Sequence, residues 1–216
     1  MGRPSAADRE AYNVESLSRV AFQLFRKRGY DATSVEQIAR AAGITKSSIY
    51  HHVSSKEELL DRGVTRALDL LYATLDEPQS LSGTYVDRVQ HILRRGVEVE
   101  VSHLDEVAVL LRLRGNTRIE RRALERRRDF DRKVAVLITQ AIENNEVRDD
   151  VDPLVVTRLL FSMANWLTEW FDPGGQFTTA EIGETIIRLA FEGLQGPTGL
   201  GTKAASAAAV SARRKE

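Results

Sequence analysis

The segment from Thr33 to Glu58 places the narrowest limits on how this chain can fold. Thr33, with Glu36 three residues later, has the spacing of a capping box, which predicts that a helix begins here. Gly43 predicts the end of that helix, because glycine readily adopts the left-handed conformation that closes a helix. Four apolar residues between them share one helical face: Val35, Ile38, Ala39 and Ala42. The segment therefore opens with a short amphipathic helix and a tight turn.

A second short helix is predicted directly after this turn, with Thr45 as its N-terminal cap. Ile49 and Val53 lie four residues apart and point inward. The opposite face is polar and consists of Lys46, Ser47, Ser48, Tyr50, His51 and His52. Two short helices joined by a glycine turn form a helix-turn-helix, and side chains of this kind suit DNA phosphates and base edges.

The stretch GITKSSIYHHVSSKEEL, with VAFQLFRKRGYDATSVEQIA before it, resembles the DNA-binding signature of the TetR (tetracycline-repressor-like) family. The resemblance is specific over the N-terminal third, while the remainder matches only as a helical block of suitable length. It implies an all-α protein with an N-terminal three-helix DNA-binding domain and a C-terminal helical domain for ligand binding and dimerisation. The expected DNA partner is a double-stranded, palindromic operator bound by a homodimer.

Side-chain chemistry divides the candidate DNA-binding residues into two groups. Phosphate contacts are predicted for Thr33, Lys46, Tyr50 and Lys56, and base-edge contacts for Ser47, Ser48 and His51. Thr45, at the start of the second helix, completes the set.

Helical patterns fill the rest of the chain, and no strand pattern interrupts them. Cap and turn residues predict helices over the following ranges: Tyr12 to Arg28, Ser55 to Leu75, Tyr85 to His103, Leu104 to Arg114, Thr117 to Asn144, Asp152 to Phe171 and Thr178 to Leu194. The turn-rich stretch from Pro78 to Gly83 marks a domain boundary. The predicted organisation is a DNA-binding domain at 1–54, a connecting helix at 55–78, a ligand-binding and dimerisation domain at 79–195 and a disordered tail at 196–216.

Composition excludes several classes of protein. The 216 residues contain no cysteine and 4 histidines, and no phosphate-binding glycine loop or nucleophile elbow is present, so no enzyme, metal site or cofactor is predicted. No apolar run is long enough to cross a bilayer, and the N-terminus lacks the apolar core of a signal peptide, so the protein is expected in the cytoplasm, away from membranes.

The helix predicted from Thr117 is rich in arginine. The helical period of about 3.6 residues places Arg126 or Arg127 on or beside the face of this helix that points into the protein. An inward arginine must meet an acid, reach solvent or line a cavity that receives an anion. Arg114, Arg122 and Arg126 are therefore candidate phosphate ligands, and the alternative is a solvated face of charge pairs.

The stretch WLTEWFDPGG places Trp166 and Trp170 four residues apart, and predicts that they stack on one helix face. It is similar to the end of the penultimate helix in TetR-like repressors that respond to acyl-CoA thioesters. This resemblance implies an acyl-CoA or aryl-CoA effector from fatty-acid, steroid or aromatic-acid breakdown. A core stripe or a subunit interface is the alternative interpretation of the two tryptophans.

The thioester is expected between the helices that begin at Thr117 and Asp152. Its predicted contacts are Arg114, Arg122, Arg126, Phe130, Phe161, Asn165, Trp166 and Trp170. Apolar residues on the last two helices, including Leu159, Met163, Ile186 and Leu189, predict a four-helix dimer interface. The expected function is a repressor that its ligand releases from DNA, and the alternative is a multidrug-sensing repressor of an efflux gene.

Overall fold

A computed structural model of the chain describes residues 14–193, which form helices joined by turns without a strand among them. The all-α prediction is confirmed. The predicted tail, 196–216, and the predicted helix start at Tyr12 lie outside the described residues. The helices are α1 (Val14–Arg28), α2 (Val35–Ala42), α3 (Lys46–His52), α4 (Lys56–Ala73), α5 (Pro78–Leu81), α6 (Tyr85–Ser102), α7 (Leu104–Arg112), α8 (Arg118–Glu143), α9 (Pro153–Asn165), α10 (Leu167–Trp170) and α11 (Thr179–Phe191).

The capping box of α2 lies one residue later than its predicted position. Ser34, not Thr33, is the cap: its hydroxyl accepts from the Gln37 backbone N–H, and the Gln37 side chain accepts from the Ser34 backbone N–H. Thr33 is buried, and its hydroxyl donates to the Gly29 carbonyl at 2.7 Å. Serine and glutamine can form the same reciprocal pair as threonine and glutamate, so the sequence offered two registers.

The connecting helix α4 packs unusually close to α1. A Cβ atom on Gly63 would lie 2.1 Å from the Phe22 ring, so only glycine allows this approach. Phe22 in turn meets Phe25 edge-to-face, with ring centroids 5.4 Å apart. The N-terminal half of α4 is therefore fixed to α1.

The turn-rich stretch after α4 is more regular than predicted. Pro78 begins the four-residue helix α5, because proline at the first helical position needs no N–H partner. Ser80 is buried in this segment and donates to the Thr74 carbonyl at 2.5 Å. The stretch is thus a packed corner between α4 and α6.

The predicted helix from Asp152 to Phe171 is not continuous. Asp152 caps α9 as expected, but α9 ends at Asn165 and the short helix α10 begins at Leu167. The Thr168 hydroxyl donates to the Asn165 carbonyl at 2.9 Å, taking an acceptor that a continuous helix would give to a backbone N–H. This break separates Trp166 from the helix that contains Trp170.

Two apolar clusters form the interior. The first packs α1–α4 around Phe22 and Phe25 and includes Val109 from α7 and Ala123 from α8. The second packs α6 and α8–α11 around Phe130 and its neighbours. Because α7 and the start of α8 contribute to the first cluster, α1–α4 pack directly against these two later helices. The proposed domain limits remain a prediction.

Candidate DNA-binding surface and effector site

The helix-turn-helix has the geometry that its sequence predicts. Gly43 closes α2 in the left-handed conformation, with φ 68°, and the Thr45 hydroxyl accepts from the Ser48 backbone N–H at 3.1 Å. Ile49 is fully buried and Val53 is 3% exposed. These apolar contacts hold α3 against the domain and turn its opposite face outward.

The outward face of α3 is polar and accessible. Thr45, Lys46, Ser47, Tyr50 and His51 are exposed, and Ser48 is half-buried. The Thr45 hydroxyl lies 2.9 Å from the Ser47 hydroxyl and 2.8 Å from the Ser48 hydroxyl. Six of the eight predicted DNA-binding residues therefore share one surface at the turn and along α3.

Lys46 forms an ion pair with Glu36 of α2 on this surface. The hydrogen bond from Lys46 lowers the pKa of the Glu36 carboxyl to about 2 and raises the pKa of the lysine. Lys46 is therefore a fully charged ammonium group, which can exchange the Glu36 carboxylate for a DNA phosphate.

Thr33 and Lys56, the other two predicted DNA-binding residues, have structural contacts instead. The Thr33 side chain is buried, as described above. The Lys56 ammonium donates to the carbonyls of Tyr30 and Thr33, both at 2.9 Å, and lies 4.2 Å from the centre of the Tyr30 ring. Both side chains stabilise the turn before α2 rather than face the polar surface of α3.

The structure does not bring the predicted effector-binding residues together. Arg122 pairs with Asp61, and Arg126 pairs with Asp69 at 2.6 Å, so both arginines bind acids of α4 on the outer side of α8. Arg126 also lies over the Tyr72 ring, 5.2 Å from its centre. Arg114 is exposed in the turn before α8.

The aromatic members of the set occupy two different environments. Phe130 and Phe161 meet edge-to-face in the core, with centroids 5.3 Å apart. Trp166 and Trp170 are 65% and 50% exposed and line an outer groove of about 610 Å³. The groove is formed by α9, α10 and α11 and is lined mainly by apolar side chains, among them Leu159, Met163, Phe177, Ile186 and Leu189.

A small internal cavity lies between α4, α6, α7, α8 and α9. Its volume is about 40 Å³, and its polar lining comes from Glu100, Arg127 and Asn165. Asn165 thus lies where the sequence places a polar contact, and Arg127 is the arginine that faces inward. Glu100 was missed, although it follows Leu93 and Val97 on the apolar stripe of α6, and an acid on such a stripe is a recognisable signal.

The Glu100 carboxyl is buried, but only part of its hydrogen-bonding capacity is satisfied. Its residue is 4% exposed, and Oε1 has no hydrogen-bond partner. Burial raises the pKa of this carboxyl to about 8, while a backbone hydrogen bond from Thr168 and the charge of Arg127 act in the opposite direction. At neutral pH the group is mostly the neutral acid.

Replacing Glu100 with glutamine is expected to remove a loss of stability between pH 4.5 and about pH 8. The carboxyl ionises near 4.5 when unfolded and near 8 when folded, so unfolding releases a proton between these values. The free energy of unfolding therefore falls as the pH rises through this window. Thermal melts of wild type and Glu100→Gln across the window measure it. Parallel pH curves for the two proteins would contradict the assignment.

A polar contact joins the DNA-binding domain to the segment beside this cavity. Arg26, at the end of α1, donates to the Thr168 carbonyl at 2.7 Å and to Asp105 at 3.1 Å. Arg112 of α7 donates to the Arg26 carbonyl at 2.7 Å and pairs with Glu169 at 2.9 Å. A shift of the α9–α10 break therefore moves acceptors on which α1 depends.

Two features are absent from residues 14–193. None of the helices in this range is both long and apolar enough to cross a bilayer. Nowhere in the same range do three or more His, Cys, Asp or Glu residues come together as metal ligands could.

A helix-turn-helix on an all-helical body is the architecture of a DNA-binding regulator. Two family models match the chain: "Bacterial regulatory proteins, tetR family" over residues 17–62, and "Tetracyclin repressor-like, C-terminal domain" over residues 82–194. The chain therefore belongs to the TetR family of ligand-responsive transcriptional repressors and is not an enzyme. The family resemblance seen in the sequence is confirmed, and so is the prediction that the chain is not an enzyme.

Individual relatives agree with this assignment. The chain is 30% identical over 196 residues to the HTH-type transcriptional repressor KstR2 of Mycobacterium tuberculosis, covering 87% of this chain and 97% of that protein. SCO3833, a TetR-family regulator from Streptomyces coelicolor, is 49% identical with a TM-score of 0.78, covering 82% of this chain and 90% of that one. AibR, in complex with isovaleryl coenzyme A and operator DNA, has a TM-score of 0.71 at 24% identity, covering 82% and 97%. At that identity AibR bears on the fold alone.

Proposed function

We propose that the protein binds a palindromic operator as a homodimer and leaves it when a CoA thioester binds the larger domain. The exposed polar face of α3, which lies opposite the buried Ile49, supports the DNA-binding role. Lys46 and Tyr50 are assigned to phosphates, and Ser47, Ser48 and His51 to base edges. Thr45 positions the start of α3 beside them.

The dimer part rests on the outer groove of α9–α11. Leu159, Trp166 and Phe177 are each more than half exposed there, which is a large apolar surface for a protein in water. The same groove on a second subunit, related by a two-fold axis, would cover it and form a four-helix interface. Two copies of α3 then reach successive major grooves, about 34 Å apart on B-form DNA. Trp166 and Trp170 are assigned to this interface.

The effector part rests on the internal cavity and the arginines near it. Arg127 lines the cavity, and Arg122 and Arg126 lie on the outer side of the same helix. Guanidinium groups bind phosphate in a bidentate manner, so they suit the phosphates of CoA once they exchange Asp61 and Asp69 for the ligand. Phe161, which lines the cavity and packs against Phe130, provides apolar surface for the acyl group. The isovaleryl coenzyme A bound to AibR shows only that a fold of this kind can hold a CoA thioester.

A multidrug sensor is the second candidate, and one observation favours it. Glu100 is a buried acid beside apolar side chains, and an apolar cation would satisfy its ionised form. Arg127 opposes this alternative, because its positive charge lies at the same cavity.

Titration calorimetry distinguishes the two candidates. The ligands are octanoyl-CoA, isovaleryl-CoA, free CoA, octanoate and the apolar cation tetraphenylphosphonium. We expect a thioester to bind at one site per subunit and to bind more tightly than free CoA or octanoate. Binding of the cation alone would favour the multidrug sensor, and a free acid that binds as tightly as its thioester would overturn the CoA assignment.

A further inference from the structure

Among residues 14–193, Glu100 differs from the other buried glutamate, Glu120, because one of its two carboxyl oxygens has no hydrogen-bond partner. Glu120 is 3% exposed, and its Oε2 accepts from the backbone N–H groups of Arg114, Gly115 and Asn116 at 3.1, 2.9 and 3.1 Å. That carboxylate closes the turn before α8. Glu100 is buried to the same extent, yet its Oε1 points to no donor or acceptor within residues 14–193. An unsatisfied buried polar atom lowers stability, which makes a role in binding the better explanation.

The cavity beside Glu100 is shaped for a single polar group. Its volume of about 40 Å³ is close to the space of one water molecule, so only the end or a substituent of a ligand enters it. Apolar side chains of Leu71, Leu110 and Phe161 form much of the remaining wall. A ligand group placed here is therefore small and polar, on an otherwise apolar body.

Arg127 provides the second polar partner at the cavity. Its charge acts on Glu100 and on Asp131, but among the described residues it forms no ion pair. A group held between Glu100 and Arg127 must accept a hydrogen bond from the guanidinium. It must also satisfy Oε1 of the acid.

We propose that Glu100 and Arg127 recognise a hydroxyl group on the acyl part of the effector. A hydroxyl accepts from the guanidinium and donates to the carboxylate, or accepts from the acid form of Glu100, so it fits either protonation state. A ketone fits the acid form but loses its contact with Glu100 when the carboxyl ionises, and an ammonium group fits only the ionised form and is repelled by Arg127. The inference deepens the proposed function and rests on its CoA thioester effector.

The position of Thr168 gives this recognition a consequence for DNA binding. Its backbone N–H acts on the Glu100 carboxyl, and its carbonyl accepts from Arg26 of the DNA-binding domain. A hydroxyl bound at Glu100 thus lies next to the segment that holds the end of α1.

Matched thioesters test this inference in the full-length protein. Octanoyl-CoA, β-hydroxyoctanoyl-CoA and ω-hydroxyoctanoyl-CoA are titrated against wild type, Glu100→Leu and Glu100→Gln. Glu98→Leu is the control, because Glu98 lies on the same helix but is partly exposed and paired with Arg95. We expect wild type to bind one hydroxylated ester at least about tenfold more tightly than octanoyl-CoA, because the hydroxyl accepts from the charged guanidinium of Arg127 and also gives Oε1 of Glu100 its missing partner. Glu98→Leu should keep this preference.

Glu100→Leu should lose the preference while still binding octanoyl-CoA, and Glu100→Gln, which keeps a donor and an acceptor, should retain part of it. A wild type without preference among the three esters, or a preference that survives Glu100→Leu, would overturn the inference and leave the proposed function intact. If none of the thioesters binds wild type, the proposed function fails and this inference fails with it. Thermal melts establish that each variant is folded.

Discussion

Replacing Leu159 with aspartate is expected to convert the protein to a monomer and to weaken operator binding by about a hundredfold to ten-thousandfold. Leu159 is 62% exposed on α9, so the change costs the isolated subunit little. In the proposed dimer, the groove would enclose an unpaired carboxylate from each subunit, which strongly opposes association. Loss of the link between two α3 helices removes the avidity that a palindrome provides. Sedimentation velocity and fluorescence anisotropy with operator DNA measure the two effects.

Leu81→Asp is the matched control for this change. Leu81 is 61% exposed, but it lies on α5, away from the groove. It should leave both the sedimentation coefficient and the operator affinity unchanged. A Leu159→Asp protein that stays dimeric would contradict the proposed interface, and one that is monomeric but binds operator normally would contradict the need for paired helices.

Replacing Lys46 with alanine is expected to weaken operator binding roughly thirtyfold at physiological salt, through one phosphate contact per subunit. Loss of two contacts from the dimer should also reduce the slope of log affinity against log salt by about 2. The loss should be similar for operator and for unrelated DNA, because phosphates carry no sequence information. Anisotropy titrations at several salt concentrations provide the slope.

Lys133→Ala is a closely matched control. The side chains of Lys46 and Lys133 are both 52% exposed, and both pair with a carboxylate of a neighbouring residue on the surface. Lys133 lies on α8 and should not affect the salt slope. If Lys46→Ala leaves the slope at its wild-type value, α3 does not contact the backbone through this lysine.

Local signals made the helix-turn-helix predictable. Thr45, Gly43 and the inward Ile49 act within a few residues of their positions, so spacing alone fixes their roles. Asp152 and Thr178 were predicted as helix caps for the same reason, and both are caps in the structure. Cap chemistry depends on the next three residues and little on the rest of the fold.

Features that depend on contacts between residues far apart in the sequence were predicted less accurately. Trp166 looked like part of a continuous helix because its own sequence contains no helix breaker. At this break the Thr168 hydroxyl donates to the Asn165 carbonyl, and the Thr168 carbonyl accepts from Arg26 of α1. Lys56 looked like a phosphate ligand because nothing in the sequence shows that its ammonium reaches the Tyr30 carbonyl.

The candidate effector site shows the same limit. Arg122 and Arg126 were assigned to an anion because helical period cannot reveal that Asp61 and Asp69 of α4 face them. Glu100 was not predicted as a site residue, because the apolar residues around it on α6 indicated an ordinary core-facing side of the helix. Which polar groups share a cavity depends on how helices pack, and that depends on the whole set of side chains.

Selection of DNA fragments by the purified protein, alone, with octanoyl-CoA and with free CoA, tests the central claim most directly. A dimeric, effector-released repressor predicts enrichment of a palindrome with two half-sites about one helical turn apart. It also predicts that the thioester abolishes this enrichment while free CoA does not. Enrichment of no sequence, a palindrome whose recovery octanoyl-CoA leaves unchanged, or one whose recovery free CoA reduces equally, would contradict the account.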